Sequence, residues 1–249
     1  FPELGFIPMV LLSGLITAAV GTLFGLPSLR IKGFYLAVAT LAAQFFLIWL
    51  FNKVGWFYNY NASGMINSPP MTVFGVIITG PEGDMTGKYY LVACFVALFA
   101  LVAKNIARGR IGRNWMAIRD MDIAAELIGV RPLIAKLSAF AVSSFYIGMA
   151  GALYFAVWLG SAEPTEAFDI NQSFLVLFMI IIGGLGSVLG SFLGAAFLVM
   201  MPILLKNIMV DGLGTNTALA THIEIILIGA LIIGFLIIEP HGLARLWRI

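Results

Sequence analysis

The sequence predicts an all-α fold, a polytopic bundle of transmembrane helices, and three observations support this prediction. Of the 249 residues, 61% are hydrophobic and only 10% are charged, whereas a typical soluble domain carries about 25% charged residues. Long runs without any charged residue recur along the chain, and seven of the 14 basic residues lie in one segment, residues 104–136. Such a chain would expose large apolar surfaces in water, so the lipid bilayer is its predicted solvent.

The apolar runs give the predicted membrane segments. A helix needs about 20 apolar residues to cross a hydrocarbon core about 30 Å thick. Five runs each predict one span, at residues 6–25, 34–51, 89–103, 137–159 and 222–239. A sixth run, residues 173–205, is too long for one ordinary span and predicts either two short crossings or a re-entrant segment. The total is about seven membrane segments.

The middle of the sixth run is rich in glycine. Glycine lowers helix stability and allows the backbone to reverse or to approach another backbone closely. The stretch lacks the lysine and the strand context of a phosphate-binding loop, so it predicts a break within the membrane. The residues of this predicted break are Gly183, Gly184, Gly186 and Gly190. Two glycine pairs elsewhere, Gly14 with Gly21 and Gly148 with Gly151, predict helix faces that pack closely.

The basic residues set the predicted orientation, because loops rich in Lys and Arg stay in the cytoplasm. This rule places residues 104–136 inside. Residues 52–88, which are rich in Asn, Ser, Gly and Pro, then lie outside, as do residues 160–172 with their three acids. The short basic turn at Arg30 and Lys32 lies inside.

The same rule orients the two ends of the chain. If residues 173–205 cross twice or re-enter, Arg245 and Arg248 near the C-terminus face the cytoplasm, as the rule prefers. Phe1 then faces outward. For a protein whose N-terminus is cytoplasmic, this predicts that an odd number of spans precedes Phe1. A single transmembrane domain is expected over residues 1–249.

The basic segment contains a candidate interaction helix at residues 116–129. Acids near its start and Gly129 at its end are typical helix boundaries. Ile123, Leu127 and the neighbouring alanines form a small apolar face. The charged edges are Arg119, Asp120, Asp122 and Glu126. A helix that rests on lipid usually carries more basic and bulky apolar residues, so this composition favours a groove in another protein.

Polar residues within the predicted spans are few. Hydroxyl groups in helices mostly bond to the backbone of their own or a neighbouring helix. Glu224 lies close to the start of its span and is expected at the outer interface, whereas Gln44 lies in mid-span and is the candidate for a translocation path. Rings of charge typical of ion channels do not occur in the spans, and the titratable groups at mid-membrane that are typical of proton-coupled carriers are not visible.

The sequence gives no indication of an enzyme. It contains no HExxH, GxSxG or GxxxxGK[ST] motif, and its two histidines lie at opposite ends of the last predicted span. The single cysteine, Cys94, lies in an apolar run, and the net charge of +2 is too small to indicate nucleic-acid binding. We therefore expect no catalytic residue, no metal site and no cofactor bound by this chain.

Four blocks of sequence resemble those of bacterial ABC importer permeases, and more narrowly the branched-chain amino acid permeases, in particular the subunit type usually called M. The order and spacing of the blocks make the resemblance specific. They are a basic turn and helix start at residues 29–37, the segment 115–130, a helix with small residues at 136–153, and the glycine-rich stretch 182–190.

The resemblance implies that the short helix docks in a cleft of a cytoplasmic ATPase. Its coupling positions would be Arg119, Asp120, Asp122, Ala124, Ala125, Glu126 and Gly129. Ile123 stands where the wider importer pattern has a glutamate directly before the alanine pair, which leaves open which acid contacts the ATPase. ATP would be hydrolysed by the partner subunits, since this chain has no phosphate-binding loop.

The resemblance also implies a cellular setting. It is a bacterial inner membrane, with a second homologous permease subunit, a soluble substrate-binding protein and uptake of leucine, isoleucine and valine. Two alternatives remain open at this stage. One is an importer for urea or short amides, and the other is a passive channel for a small neutral solute.

Overall fold

In a computed structural model, the described part of the chain comprises residues 5–28, 34–61, 63–80, 83–163, 167, 169–212, 217–238 and 242–243. These residues form two compact units, Phe1–Phe168 and Asp169–Ile249. Helices dominate both, and the predicted all-α polytopic fold is confirmed. The basic residues Arg30, Lys32, Arg245 and Arg248 lie outside the described part, as does the side chain of Glu224.

The first unit contains six α-helices and four very short strands among its described residues. The helices are α1 (Phe6–Ser28), α2 (Phe34–Lys53), α3 (Met85–Arg108), α4 (Arg110–Asp120), α5 (Asp122–Leu127) and α6 (Pro132–Leu153), which continues as a π-helical segment, Tyr154–Leu159. The strands are β1 (Ile66–Asn67), β2 (Thr72–Val73), β3 (Val76–Ile77) and β4 (Ser161–Ala162).

The second unit contains three α-helices in its described residues: α7 (Ile170–Gly183), α8 (Val188–Lys206) and α9 (Thr217–Ile238). A π-helical segment, Asn207–Gly212, follows α8. The long uncharged run is therefore two helices and not one. With 14 residues, α7 is about 21 Å long and shorter than a full crossing of the hydrocarbon core.

Seven apolar helices coincide with the predicted membrane segments, but they differ in length. Four apolar stretches are long enough to cross a bilayer: Phe6–Leu26, Met85–Arg108, Pro132–Leu159 and Val188–Met209. Three others are shorter within the described residues: Val38–Lys53, Ile170–Gly183 and Ile225–Gly234. The third helix begins before and ends after the predicted residues 89–103. It begins early because Asp84 caps its N-terminus by accepting from the backbone N–H of Gly87 at 2.8 Å.

The main helix pair of the first unit, α1 and α6, packs through residues with little or no side chain. Gly14 lies against Phe145 and Met149, and Gly21 lies against Ser144. The Ser13 hydroxyl donates a hydrogen bond to the carbonyl oxygen of Gly148 across the helix pair, at 2.7 Å. Small residues and polar contacts of this kind hold helices together in lipid, where apolar burial between helices gives little advantage.

The two glycine pairs predicted to lie on closely packed helix faces can be compared with this interface. Gly14, Gly21 and Gly148 lie in the interface, so the prediction is confirmed for them. It is wrong for Gly151, which has no neighbour within 4 Å of an added Cβ. Three residues advance a helix by about 300°, so Gly148 and Gly151 share a broad face, but only Gly148 falls on the narrow line of contact with Ser13 and Thr17.

The loop between α2 and α3 packs on one end of the α1 and α6 pair. Val73 and Ile78 join a buried cluster with Phe6, Met149 and Leu153. The loop is held in register by β1, which pairs with β4 beyond α6, while β2 and β3 form a hairpin. The loop is thus an ordered structure that brings together two distant parts of the sequence.

The helix break in the second unit is built from glycine, as the sequence predicts. Gly184 and Gly186 have φ angles of 112° and 84°, which side chains disfavour. The Ser187 hydroxyl then caps α8 by accepting from the backbone N–H of Gly190 at 3.1 Å. Gly183 lies directly against the backbone of Gly190, so the two helices meet with no side chain between them.

The two glycines of α6 give a matched test of this packing. We expect Gly148→Leu to lower the free energy of unfolding by about 1–3 kcal/mol, because the added side chain must displace Thr17 and the carbonyl of Ser13. Gly151→Leu on the same helix should be neutral or slightly stabilising. Thermal unfolding of the purified protein in detergent measures both, and equal loss of stability in the two variants would contradict the assignment.

Candidate functional site

The helix α4 leaves α3 through a turn that has no room for side chains. The backbone N–H of Gly109 donates to the carbonyl oxygens of Asn105 and Ile106, at 3.0 and 3.1 Å, and closes α3. A Cβ on Gly112 would collide with the carbonyl oxygens of Ile106 and Ala107. Because the backbones are in contact here, the direction in which α4 leaves the end of α3 is fixed by local geometry.

A second contact fixes α4 against α6. The indole N–H of Trp115 donates to the Ser138 hydroxyl at 2.9 Å, and this hydroxyl donates in turn to the carbonyl oxygen of Ala135 at 2.8 Å. Ile118 is buried beside Ala135. The amphipathic segment is therefore attached to the start of a membrane-spanning helix by a hydrogen bond and by apolar contacts.

The predicted single helix at residues 116–129 is divided in two. Met121 adopts an extended conformation (φ −154°, ψ 97°) between α4 and α5. The hydrogen bonds on each side persist, because the Met121 N–H donates to the Ala117 carbonyl and its own carbonyl accepts from Ala125, both at 3.0 Å. The break therefore reorients α5 with no backbone hydrogen bond lost at Met121.

The predicted end of the helix is confirmed. Gly129 has a φ of 88°, and its N–H donates to the carbonyl oxygen of Glu126 at 2.9 Å. The next N–H, of Val130, donates to Ala125 at 3.0 Å, which closes the turn in the way typical of glycine-terminated helices. Only a residue that tolerates the left-handed region suits position 129.

The helix α5 has one buried and one exposed face. Ala125 is only 2% exposed and packs against Ile118 and Ala135. Ile123 and Leu127 are 75% and 84% exposed. These two residues lie two positions from Ala125, and two positions rotate a helix by about 200°, so they point away from it. The apolar face expected from the sequence exists, but Ala125 lies opposite to it.

Further exposed apolar residues extend this outward surface. Met121 before α5 and Ile128 after it are both largely exposed, as is Ala124. We call Met121, Ile123, Leu127 and Ile128 the apolar ridge. Four exposed apolar side chains within eight residues, on a segment whose other face is buried, are typical of a surface that contacts another molecule.

The charged side chains border the apolar ridge. Arg119 pairs with Asp120 at 2.9 Å, and Asp122 pairs with Lys136 of α6 at 3.8 Å. All four are well exposed, so each pair contributes about 0–1 kcal/mol to stability. Glu126 is exposed and borders an open groove of about 540 Å³ that continues along residues 129–134.

The remaining predicted site residues lie elsewhere. Gln44 is half-buried on α2, with an interaction partner within the chain. The glycine-rich break belongs to the second unit. The structure thus brings the predicted coupling residues together in one place and leaves Gln44 and the break as separate features. Within the described residues, no three His, Cys, Asp or Glu side chains lie close enough to hold a metal ion, and Cys94 is exposed.

A polar pocket beside the loop between α2 and α3 was not predicted from the sequence. Its lining residues are Asn52, Tyr58, Tyr60, Asn61, Ser63, Gly64 and Glu163. The stretch around residue 60 reads as an ordinary polar loop, and Glu163 lies about 100 residues away in sequence. The pairing of β1 with β4 brings them together, and two-residue strands leave almost no signal in a sequence.

Comparisons with known proteins agree on one family. The family described as the permease component of branched-chain amino acid transport systems matches residues 2–236. The chain is 31% identical to the high-affinity branched-chain amino acid transport system permease protein LivM of Escherichia coli and 30% identical to that of Salmonella typhimurium, each over 98% of this chain. It is 23% identical, over 79% of its length, to a probable branched-chain amino acid transport permease protein LivM of Methanocaldococcus jannaschii.

These relatives are longer than this chain. The chain spans 59% of the length of the Escherichia coli and Salmonella proteins and 55% of the archaeal one. No solved structure shows a significant match.

The alanine pair of α5 allows a direct test of the site's construction. We expect Ala125→Leu to destabilise the packing of α5 against α4 and α6 by about 1–3 kcal/mol, because position 125 is enclosed by Ile118 and Ala135. Ala124→Leu should leave stability unchanged, since that side chain is exposed. Amide hydrogen exchange of residues 118–130 measures the effect, and the same protection in both variants would contradict the described burial.

Proposed function

This chain belongs to the family of permease components of branched-chain amino acid transport systems, and we propose that it forms the membrane-spanning permease subunit of an ATP-driven importer. The observation that carries the proposal is the solvent-exposed apolar ridge on and beside α5, whose opposite face is packed against α4 and α6. In this function the chain itself hydrolyses no ATP. Cytoplasmic ATPase subunits supply the energy and act on the permease through α5.

The construction of the segment suits the transmission of force. A docking element must be exposed on one side and firmly attached on the other. Ala125 and Ile118 attach α5 and α4 to Ala135 on α6, and the bond from Trp115 to Ser138 adds a directional link. A movement of a partner bound to the apolar ridge would therefore be transmitted to the start of α6 through packed contacts and not through a flexible linker.

We assign distinct roles to the proposed coupling residues. Ala125 positions the helix from behind, and Gly129 ends it. Ala124 lies on the exposed side, where its small size permits close approach of a partner. Arg119, Asp120, Asp122 and Glu126 border the contact, and exposed charges of this kind mainly set orientation and association rate.

The proposed topology follows the distribution of basic residues. The coupling loop 104–136 faces the cytoplasm, loop 52–88 faces outward, and residues 1–249 act as one permease domain in a bacterial inner membrane. The helix α3, about 36 Å long, separates the two loops, which matches a membrane thickness. Gln44 is proposed to lie along the translocation path, and the glycine-rich break at residues 183–190 remains a proposed membrane break.

Branched-chain amino acids are the proposed substrates, delivered by a soluble binding protein to a pair of permease subunits, of which this chain is one. The scarcity of polar groups in the spans supports a path without a strong internal site, so that specificity would lie in the binding protein. The alternatives are transport of urea or short amides and passive conduction of a neutral solute. Neither alternative explains an anchored apolar ridge as well as ATPase docking does.

A substitution on the apolar ridge tests the coupling. We expect Leu127→Glu to reduce substrate-stimulated ATP hydrolysis and uptake by the reconstituted complex about tenfold, because it places a charge at the centre of the proposed apolar contact. Stability should not change, since Leu127 is exposed.

Met85→Glu is the matched control, because Met85 is equally exposed but lies at the opposite end of α3. This variant should retain full activity. Full ATPase coupling in the Leu127→Glu variant would contradict docking through α5.

A second experiment tests the substrate and the energy source. We expect uptake of labelled leucine into proteoliposomes that contain the whole complex to require both ATP and the binding protein. Excess isoleucine and valine should suppress this uptake, and excess urea should not. Flux of urea in the absence of ATP would instead favour the passive channel.

A further inference from the structure

A polar pocket lies at the end of the first unit that is remote from α4 and α5. Its residues come from two segments, the end of α2 with the turns that follow it, and the chain that follows β4. The pairing of Ile66 with Ala162 and of Asn67 with Ser161 aligns these segments. A hydrogen bond from the backbone N–H of Ser68 to the carbonyl oxygen of Gly160, at 2.7 Å, extends the connection.

The wall formed by the first segment has a defined shape. Consecutive backbone hydrogen bonds fold residues 54–61 into a series of turns. Asn59 and Tyr60 have φ angles of 52° and 53°, a conformation that few residues other than glycine adopt. The ring of Tyr60 lies over Gly55, where any side chain would collide with it. The pocket has a volume of about 480 Å³, which is ample for a single amino acid.

The residues that line the pocket contribute amide, hydroxyl and carboxylate oxygens, all of which can accept hydrogen bonds. The amide nitrogen of Asn52 donates to the carbonyl oxygen of Ile48 at 3.1 Å, and that of Asn61 donates to Met65 at 3.0 Å. Each amide therefore uses one N–H group on a nearby backbone carbonyl, and its oxygen and its second N–H group remain for a ligand. Tyr58 and Tyr60 contribute hydroxyl groups, which can accept as well as donate.

The charge of the pocket has one sign. Glu163 contributes a carboxylate, and none of the described residues that line the pocket is basic. Glu163 also interacts within the chain. A carboxylate has about four lone-pair positions, so an incoming donor can join those interactions. Acceptors grouped around one negative charge favour a cation that carries several N–H groups, and they disfavour anions.

We propose that this pocket binds the α-ammonium group of an amino acid at the outer entrance of the permease. The inference rests on the proposed function for the identity of the ligand, a free amino acid. The ammonium group would donate to the Glu163 carboxylate and to the oxygens of Asn52 and Asn61, and the branched side chain would remain toward the open side of the pocket. The site would hold the substrate weakly after its release from the binding protein.

Four small ligands distinguish recognition of the ammonium group from recognition of the carboxylate. Isopentylamine has the ammonium group and the branched chain of leucine but lacks the carboxylate. Its counterpart 4-methylpentanoate has the carboxylate and lacks the ammonium group. We expect leucine and isopentylamine to bind competitively to the full-length permease complex in detergent, without the binding protein, and 4-methylpentanoate and urea not to bind. Saturation-transfer NMR measures such weak dissociation constants.

Two variants and one control locate the binding. Glu163→Gln should weaken isopentylamine binding about tenfold or more, through loss of a charge-assisted hydrogen bond. Tyr58→Phe should weaken it about fivefold through loss of one hydroxyl. Tyr89→Phe is the matched control, since Tyr89 is an exposed tyrosine at the start of α3 that does not line the pocket, and it should have no effect.

The outcomes distinguish the inference from the function on which it rests. Binding of 4-methylpentanoate as tight as that of isopentylamine would overturn it. So would amine binding that is unchanged in both Glu163→Gln and Tyr58→Phe. If the complex imports leucine but the pocket binds no amine, the pocket assignment fails and the proposed function stands. If the pocket binds isopentylamine and the complex does not import leucine, the assignment of substrate class fails and the ammonium site stands.

Discussion

The close approach of α1 and α6 is the contact on which the first unit depends. Between helices in lipid, burial of apolar surface contributes little, so the pair must be held by van der Waals contact and by hydrogen bonds. Both require short distances, and both are present where Gly14, Gly21 and Gly148 meet Ser13, Thr17 and Ser144. The loop between α2 and α3 packs on one end of this pair, and α4 and α5 pack against the start of α6. Each proposed site therefore relies on the position of one helix.

The small helix α5 shows how a short element acquires a defined orientation. Six residues cannot form a stable helix by themselves, because the cost of starting a helix exceeds the gain from so few hydrogen bonds. Here the surrounding chain supplies the stability. Ala125 is enclosed by α4 and α6, Met121 sets the angle of entry, and Gly129 sets the exit. The apolar ridge can then be exposed to solvent or to a partner at no cost to its own conformation.

The sequence was informative where a physical rule acts on neighbouring residues. Span positions followed from runs of apolar residues, and the stop at Gly129 and the break at Gly184 followed from the freedom of glycine at positive φ. Features that depend on the three-dimensional path were not predictable. No turn residue in the sequence marks the break at Met121, and Gly151 resembles Gly148 in sequence but has no atom within 4 Å of an added Cβ. The residues of the polar pocket are brought together by the pairing of two two-residue strands that lie about 100 positions apart in sequence.

The helix α6 physically connects the two proposed sites of the first unit. At its start, Ala135 and Ser138 hold the segment proposed to meet the ATPase. Beyond its other end, a π-helical turn at Tyr154–Leu159 leads directly to β4 and Glu163. Such turns are locally less regular than an α-helix and often adjoin functional sites. If α6 shifts between two positions, thermodynamic reciprocity requires that ligands bound at its two ends change each other's affinity by the same factor. An amino acid bound in the proposed pocket would then change the affinity of α5 for the proposed ATPase. Binding of the ATPase would in turn change the affinity of the pocket for the amino acid.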